Sequence, residues 1–148
     1  MTESIQQKLI TELKQKMSYC GSVLDIPPPV FLMMNGDVLS YDASKGTMEI
    51  SYPVTAEYMN PFGRMQGGML AAAIDNTLGP LSMLVAPLNY TRHLEIKYRK
   101  AISIETSVIT VCAKYINKTK RQLQFSASVF DSESVELATA RAVHWIVE

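Results

Sequence analysis

The sequence predicts an α+β protein in which one antiparallel sheet curls around a single apolar helix. Three observations carry that prediction. Residues 3–17 place apolar side chains every four positions. Gly67 to about Leu84 has almost no polar face. After Pro87 the chain alternates with period two between short turns. A 3.6-residue period marks a helix and a two-residue period marks a strand. Antiparallel strands joined by short turns expose one apolar face, and a helix that is apolar nearly all round is what such a face covers. The 148 residues predict one domain, 1–148, long enough to bury a core without disulfide or metal.

The elements follow in order. Ile5, Leu9, Leu13 and Met17 form the stripe of the first helix. Ser4 and Gln7 have the spacing of a capping box, and Gly21 is a stop signal. Pro27-Pro28-Pro29 cannot lie inside a helix and reads as a stiff connector. It leads into Val30–Met34, whose pattern assigns no element. Residues 37–42 and 47–54 read as a hairpin, turning at Ser44-Lys45-Gly46, with Met48, Ile50, Tyr52 and Val54 on one face. Residues 55–66 form a loop before the apolar helix. Strands follow at 89–98, 103–115, 121–131 and 135–147, with turns at Asn117-Lys118-Thr119 and Asp131–Ser134. In the last strand Val143, Trp145 and Val147 make the apolar face.

Charge and composition exclude several functions. Fourteen basic and fourteen acidic residues cancel, which argues against a nucleic-acid binder. Cys20 and Cys112 make neither a disulfide framework nor a metal-ligand spacing, and both read as small apolar residues rather than nucleophiles. Charges at Glu3, Lys8, Glu12, Lys14 and Lys16 interrupt any signal-peptide core. No run reaches the ~18 apolar residues of a membrane span. The expectation is a soluble cytoplasmic protein without membrane, nucleic-acid or metal partners. Nucleophile-elbow, phosphate-loop, dinucleotide and zinc-protease motifs are absent. His93 and His144 are the two histidines, and His144 reads as a structural residue.

The segment with chemistry is Asn60 to Asp75, N-P-F-G-R-M-Q-G-G-M-L-A-A-A-I-D. Gly67 and Gly68 open the helix, so its first amides point outward at the positive end of the helix dipole. Such amides can polarise a carbonyl, and glycine allows close approach. The plainer alternative is a tight loop-to-helix turn. Asp75 is the one charge in the apolar helix, and a lone buried carboxylate is expensive unless paired or functional. It serves catalysis, or else is a helix-surface acid or a structural partner for Arg64 or Arg92.

The spacing Asn60, Gly63, Gln66-Gly67-Gly68, Asp75, with Thr91 ahead of Ile96-Lys97-Tyr98, resembles the signature of hotdog-fold acyl-CoA thioesterases of the phenylacetate (PaaI-like) type. The element order resembles that family over nearly the whole chain. One position departs: the family's motif histidine is Gln66, which can hydrogen-bond but cannot titrate. The resemblance implies hydrolysis of an acyl- or aryl-CoA to acid and CoA. Gly67 and Gly68 would polarise the carbonyl, Asp75 would act as base or nucleophile, and Asn60, Gln66 and Thr91 would position water or substrate. Coenzyme A enters as part of the substrate, with no metal or redox cofactor. Its phosphates could meet Arg92, Lys97 and Arg99, or Lys118, Lys120 and Arg121, although such runs are more often solvated faces. Asn60 equally fits a turn asparagine before Pro61, and Thr91 equally fits an ordinary strand threonine.

Gly67 and Asp75 lie eight residues apart, about 12 Å along one helix. One helix cannot bring both to the same carbon. Two antiparallel helices can, which predicts a C2 homodimer with two composite sites, alone or as a dimer of dimers. The alternative on this fold is a non-catalytic acyl-CoA or fatty-acyl ligand-binding protein.

Overall fold

The computed structural model describes residues 2–21 and 24–147; Met1 and Glu148, the ends of the predicted domain, lie outside the described residues, as do Ser22 and Val23. Helix α1 (Ile5–Lys16) begins one residue after Ser4, whose extended backbone makes it the cap. Ser4 Oγ accepts from Gln7 N–H and Gln7 Oε1 accepts from Ser4 N–H, both at 3.2 Å. A 3-10 turn at Ser18–Cys20 follows, and Gly21 ends it with φ 67°. The unassigned stretch after the prolines is a short helix, α2 (Pro29–Met33), with Pro29 in its first turn, where no N–H is required.

The strands are β1 (Asp37–Asp42), β2 (Thr47–Pro53), β3 (Asn89–Tyr98), β4 (Val108–Thr119), β5 (Gln122–Phe130) and β6 (Glu136–Ile146). They form one antiparallel sheet in the order β1-β2-β4-β5-β6-β3, so β1 and β3 are its edges. Helix α3 (Gly67–Val85) packs on the inner face against β4, β2 and β3. Met48, Ile50 and Tyr52 of β2, Ile109 and Val111 of β4, and Leu123, Phe125 and Val129 of β5 are buried there. Helix α1 lies across α3 and β1, burying Leu9 and Leu13. Lys16 Nζ donates to Leu84 O at the end of α3, and Tyr19 Oη accepts from Leu88 N–H at 2.7 Å. A cation on the last carbonyls complements the negative end of the helix dipole.

Four expectations are corrected. Residues 117–119 are not a turn: they pair with Gln124, Leu123 and Gln122, and the chain reverses at Lys120–Arg121, with Lys120 at φ 57°. The strand read from residue 103 starts at Val108, after a 3-10 turn at Ile104–Thr106. The inward face of β6 is Ala138, Ala140, Ala142 and His144, not the larger Val143 and Trp145. Small residues fit there because Ala142 lies opposite the bulky Phe125 and Ala138 opposite Val129. Finally, α3 is long and apolar enough by length and composition to cross a membrane, despite the expectation that no segment would be. It is the helix the sheet covers, with Leu70, Ala73, Ile74, Leu78 and Leu81 buried.

A β-bulge in β3 matters most for function. Thr91 pairs with His144 and His93 pairs with Val143, so Arg92 is the extra residue. An inserted residue reverses the parity of the side chains before it. Asn89 and Thr91 therefore share the inward face with Leu94, Ile96 and Tyr98, which strict alternation would have denied them.

Candidate active site

The N-terminus of α3 is shaped by Gln66. Its Oε1 accepts from Gly68 N–H at 2.7 Å, and its backbone carbonyl accepts from Met69 and Leu70 N–H. Among the described residues the Gly67 N–H of this first turn has no partner. Tyr98 Oη donates to Gly67 O at 2.9 Å, and an added Cβ on Gly67 would lie 3.2 Å from Tyr98 Oη. Glycine here is what lets the tyrosine close on the helix end. Asn60 holds the preceding loop: its Oδ1 accepts from Phe62 N–H at 2.9 Å and from Arg64 N–H at 3.0 Å.

Asp75 lies two turns along the same helix. It is exposed in the single chain, which agrees with the helix-surface alternative and not with a buried carboxylate. The stripe of α3 that carries it is the one the sheet leaves uncovered. Its partner is neither Arg64 nor Arg92 but Thr91, whose hydroxyl donates to Asp75 Oδ1 at 2.9 Å. Behind Thr91 stands His144, 1% exposed, with Nε2 3.3 Å from Thr91 Oγ1 and Nδ1 2.8 Å from Asn89 Oδ1. Burial holds the His144 imidazole below its ordinary pKa, against an opposing pull from Asp75.

Two cavities flank these groups. One of about 270 Å³ lies under α1 and the proline connector; its apolar wall includes Leu9, Leu13, Phe31 and Met83, and Asp75 also lines it. The other, about 450 Å³, surrounds the helix end, lined by Gly67, Gly68 and Tyr98 with the cations Arg64, Arg99 and Lys100.

The structure thus joins Asp75 to Thr91 of β3 and Gln66 to Gly68, and leaves Asp75 and the Gln66–Gly68 end at separate points of α3. The candidate cations divide. Arg99 stands beside the helix end and pairs with Glu136 at 3.0 Å. Arg92 and Arg121 lie over the Trp145 ring, 4.7 and 5.6 Å from its centroid. Lys97 lines the outer face of the sheet with Glu95 and Arg141, Lys118 lies in β4 paired with Leu123, and Lys120 sits at the β4–β5 turn. Burial and neighbouring Glu49 push the Cys112 thiol up to about 11, so it is a poor nucleophile. No group of three or more His, Cys, Asp or Glu side chains is arranged for a metal among the described residues. Sequence reasoning missed the contact of Tyr98 with Gly67 and the placement of Asn89 and His144 behind Thr91. The Tyr98 signal was present in its motif; the others depend on the bulge.

A six-stranded antiparallel sheet of this order, wrapped on one long helix, is the hotdog fold. Solved structures share it. The Escherichia coli PaaI protein from the phenylacetic acid degradation operon superposes with a TM-score of 0.77 at 14% identity, covering 95% of this chain and 96% of that one. The Streptococcus mutans protein smu.793, bound to acetyl CoA, gives 0.71 at 18% identity over 76% and 89%. A hypothetical thioesterase protein from Streptococcus pneumoniae, solved with coenzyme A, gives 0.70 at 17% over 76% and 86%. At these identities the likeness establishes the fold. No family model and no curated protein sequence matches the chain.

Proposed function

We propose that this chain is a thioester hydrolase that cleaves acyl- or aryl-CoA to acid and CoA at a site composed across a C2 dimer. The observation that carries this reading is the Asp75–Thr91 pair, 2.9 Å apart and beside an apolar cavity, with Asp75 on the same helix as an open backbone donor at Gly67. The neighbours described with coenzyme A or acetyl CoA support the ligand class.

Each residue has a chemical task. The Gly67 N–H of one protomer polarises the thioester carbonyl and stabilises the developing oxyanion. Asp75 of the other protomer takes a proton from water, or attacks the carbonyl carbon itself. The thiolate of CoA leaves and is reprotonated, and water supplies the oxygen of the product acid. Thr91 holds one carboxylate oxygen, leaving the other to react. Gln66 keeps Gly68 occupied and the helix end ordered, which requires no titrating imidazole. Asn60 acts by holding the loop. Arg64, Arg99 and Lys100 supply positive charge where the CoA end approaches the helix.

The apolar cavity sets the acyl class. A cavity of about 150 Å³ holds benzene, so about 270 Å³ suits an aromatic ring with a short linker or a medium acyl chain. Two features favour a dimer. Edge strand β3 offers ten residues for pairing. Tyr90 and Tyr98 on it are 60% and 56% exposed.

A thiol-release assay over short, medium and aromatic CoA esters, with light scattering of the same sample, tests the proposal. Turnover by a dimer, best with medium or aromatic acyl groups, is expected. The second reading, a non-catalytic acyl-CoA or fatty-acyl binder, is favoured by the occupied Gly68 amide. Micromolar binding without hydrolysis across the panel would select it.

A further inference from the structure

From the hydrogen-bond chain behind Asp75 we infer that His144 is a positioning residue for the carboxylate, acting through the Thr91 hydroxyl, and that its protonation decides whether Thr91 Oγ1 faces a bare ring nitrogen or an N–H donor that locks its hydrogen onto Asp75. This rests on the proposed role of Asp75, but the wiring itself is testable without turnover.

The proton count is forced from the far end. Asn89 Nδ2 donates to Pro87 O at 2.8 Å and to Ser82 O at 3.4 Å, which fixes the amide's orientation. Asn89 Oδ1 must then accept, so His144 Nδ1 carries a hydrogen. The neutral ring is left with a bare Nε2, 3.3 Å from Thr91 Oγ1. Thr91 has one hydrogen and faces two acceptors, Nε2 and Asp75 Oδ1 at 2.9 Å. The charged and closer acceptor wins, and Nε2 stands against an oxygen lone pair. A proton on His144 removes the conflict. Nε2 then donates to Thr91 Oγ1, and the Thr91 hydrogen is committed to Asp75.

The surroundings limit what else acts on the ring. On α3 the facing charged group is Asp75, which favours the protonated ring. Strand β3 presents Asn89 and Thr91, and β5 presents Leu123 and the Phe125 ring, 4.8 Å between centroids. Arg92 and Arg121 lie over Trp145, on the opposite side of β6 from His144. Burial opposes protonation and Asp75 supports it, so the ring and the carboxylate are coupled through one hydroxyl.

The decisive experiment is long-range proton–nitrogen NMR of the intact protein, whose two imidazoles are His93 and His144. The expected neutral tautomer of His144 is Nδ1–H, and its titration midpoint should fall in Asp75→Asn, which removes the coupled charge. A neutral Nε2–H tautomer, or a midpoint indifferent to Asp75→Asn, overturns the wiring. Kinetics test the positioning role separately. His144→Gln, which can place an amide donor near Thr91, should retain most of kcat. His144→Phe, matched in bulk but unable to hydrogen-bond, should lose about tenfold or more in kcat, with KM little changed, at pH values where the wild-type ring is protonated and donates to Thr91. Equal kcat in the two folded variants would overturn the role. Absence of turnover in the wild type would instead refute the hydrolase reading and leave the NMR result standing.

Discussion

Gly67→Ala separates chemistry from folding at the helix end. The new Cβ would lie 3.2 Å from Tyr98 Oη and 3.3 Å from the ring carbon bearing it, closer than an ordinary contact. The ring must retreat by a few tenths of an ångström, weakening its 2.9 Å bond to Gly67 O. That loss is worth about 0.5–1.5 kcal/mol. Alanine in place of glycine, at a backbone conformation alanine can adopt, returns about 0.4–1 kcal/mol by restricting the unfolded chain. The two nearly cancel, so thermal stability should change by only a few degrees. Activity has no such offset, because the methyl group crowds the carbonyl's approach to the Gly67 amide. Loss of one oxyanion donor lowers kcat by about 10²–10³, and a fall near the lower figure is expected. Gly68→Ala, whose Cβ meets Gln66 Oε1 at an ordinary 3.4 Å, should lose much less. Thiol release beside differential scanning calorimetry reads both quantities. A Gly67→Ala enzyme with undiminished kcat/KM would refute the assignment of this amide to the carbonyl.

Asp75→Asn should lower kcat by about 10²–10⁴ while the fold persists, since Asp75 is exposed in the single chain; circular dichroism and thiol release together check it. Gly36→Ala should destabilise the protein by about 1–3 kcal/mol or more, because its Cβ would lie 2.5 Å from the Phe31 ring and 2.9 Å from Tyr52; urea unfolding measures it. Stability should fall with acid as His144 titrates. Its folded pKa lies below the ordinary 6.5, so its contribution is complete above 6.5 and is lost as pH drops through the folded value. Melting curves from pH 7.5 to 5.0 should show this slope in the wild type and a shallower one in His144→Gln.

The sequence made most of the architecture legible, for identifiable reasons. The four-residue stripe of α1, the apolar α3 and the alternation of β2 and β5 are local patterns, and the structure keeps each. What escaped depends on partners distant in sequence. The Asn117-Lys118-Thr119 tripeptide has turn composition but is held in the ladder by Gln122, Leu123 and Gln124. The inward face of β6 carries the smaller residues, because facing side chains such as Phe125 fill the space. The Arg92 bulge reverses parity just where Thr91 must reach Asp75, and period-two reading cannot anticipate it. Candidate residues were therefore easier to name from their motif than to connect. Gln66 was visible as a departure, but its bond to Gly68 was not.

The division of labour between two chains is tested most directly by a mixed dimer. Gly67→Ala and Asp75→Asn chains carrying different tags would be co-expressed and the heterodimer isolated. Each protomer then retains the group its neighbour lacks. One of the two shared sites is intact and the other doubly impaired, so about half the wild-type activity per dimer should return. A heterodimer no more active than the impaired homodimers would place both groups' work within one chain and contradict the account.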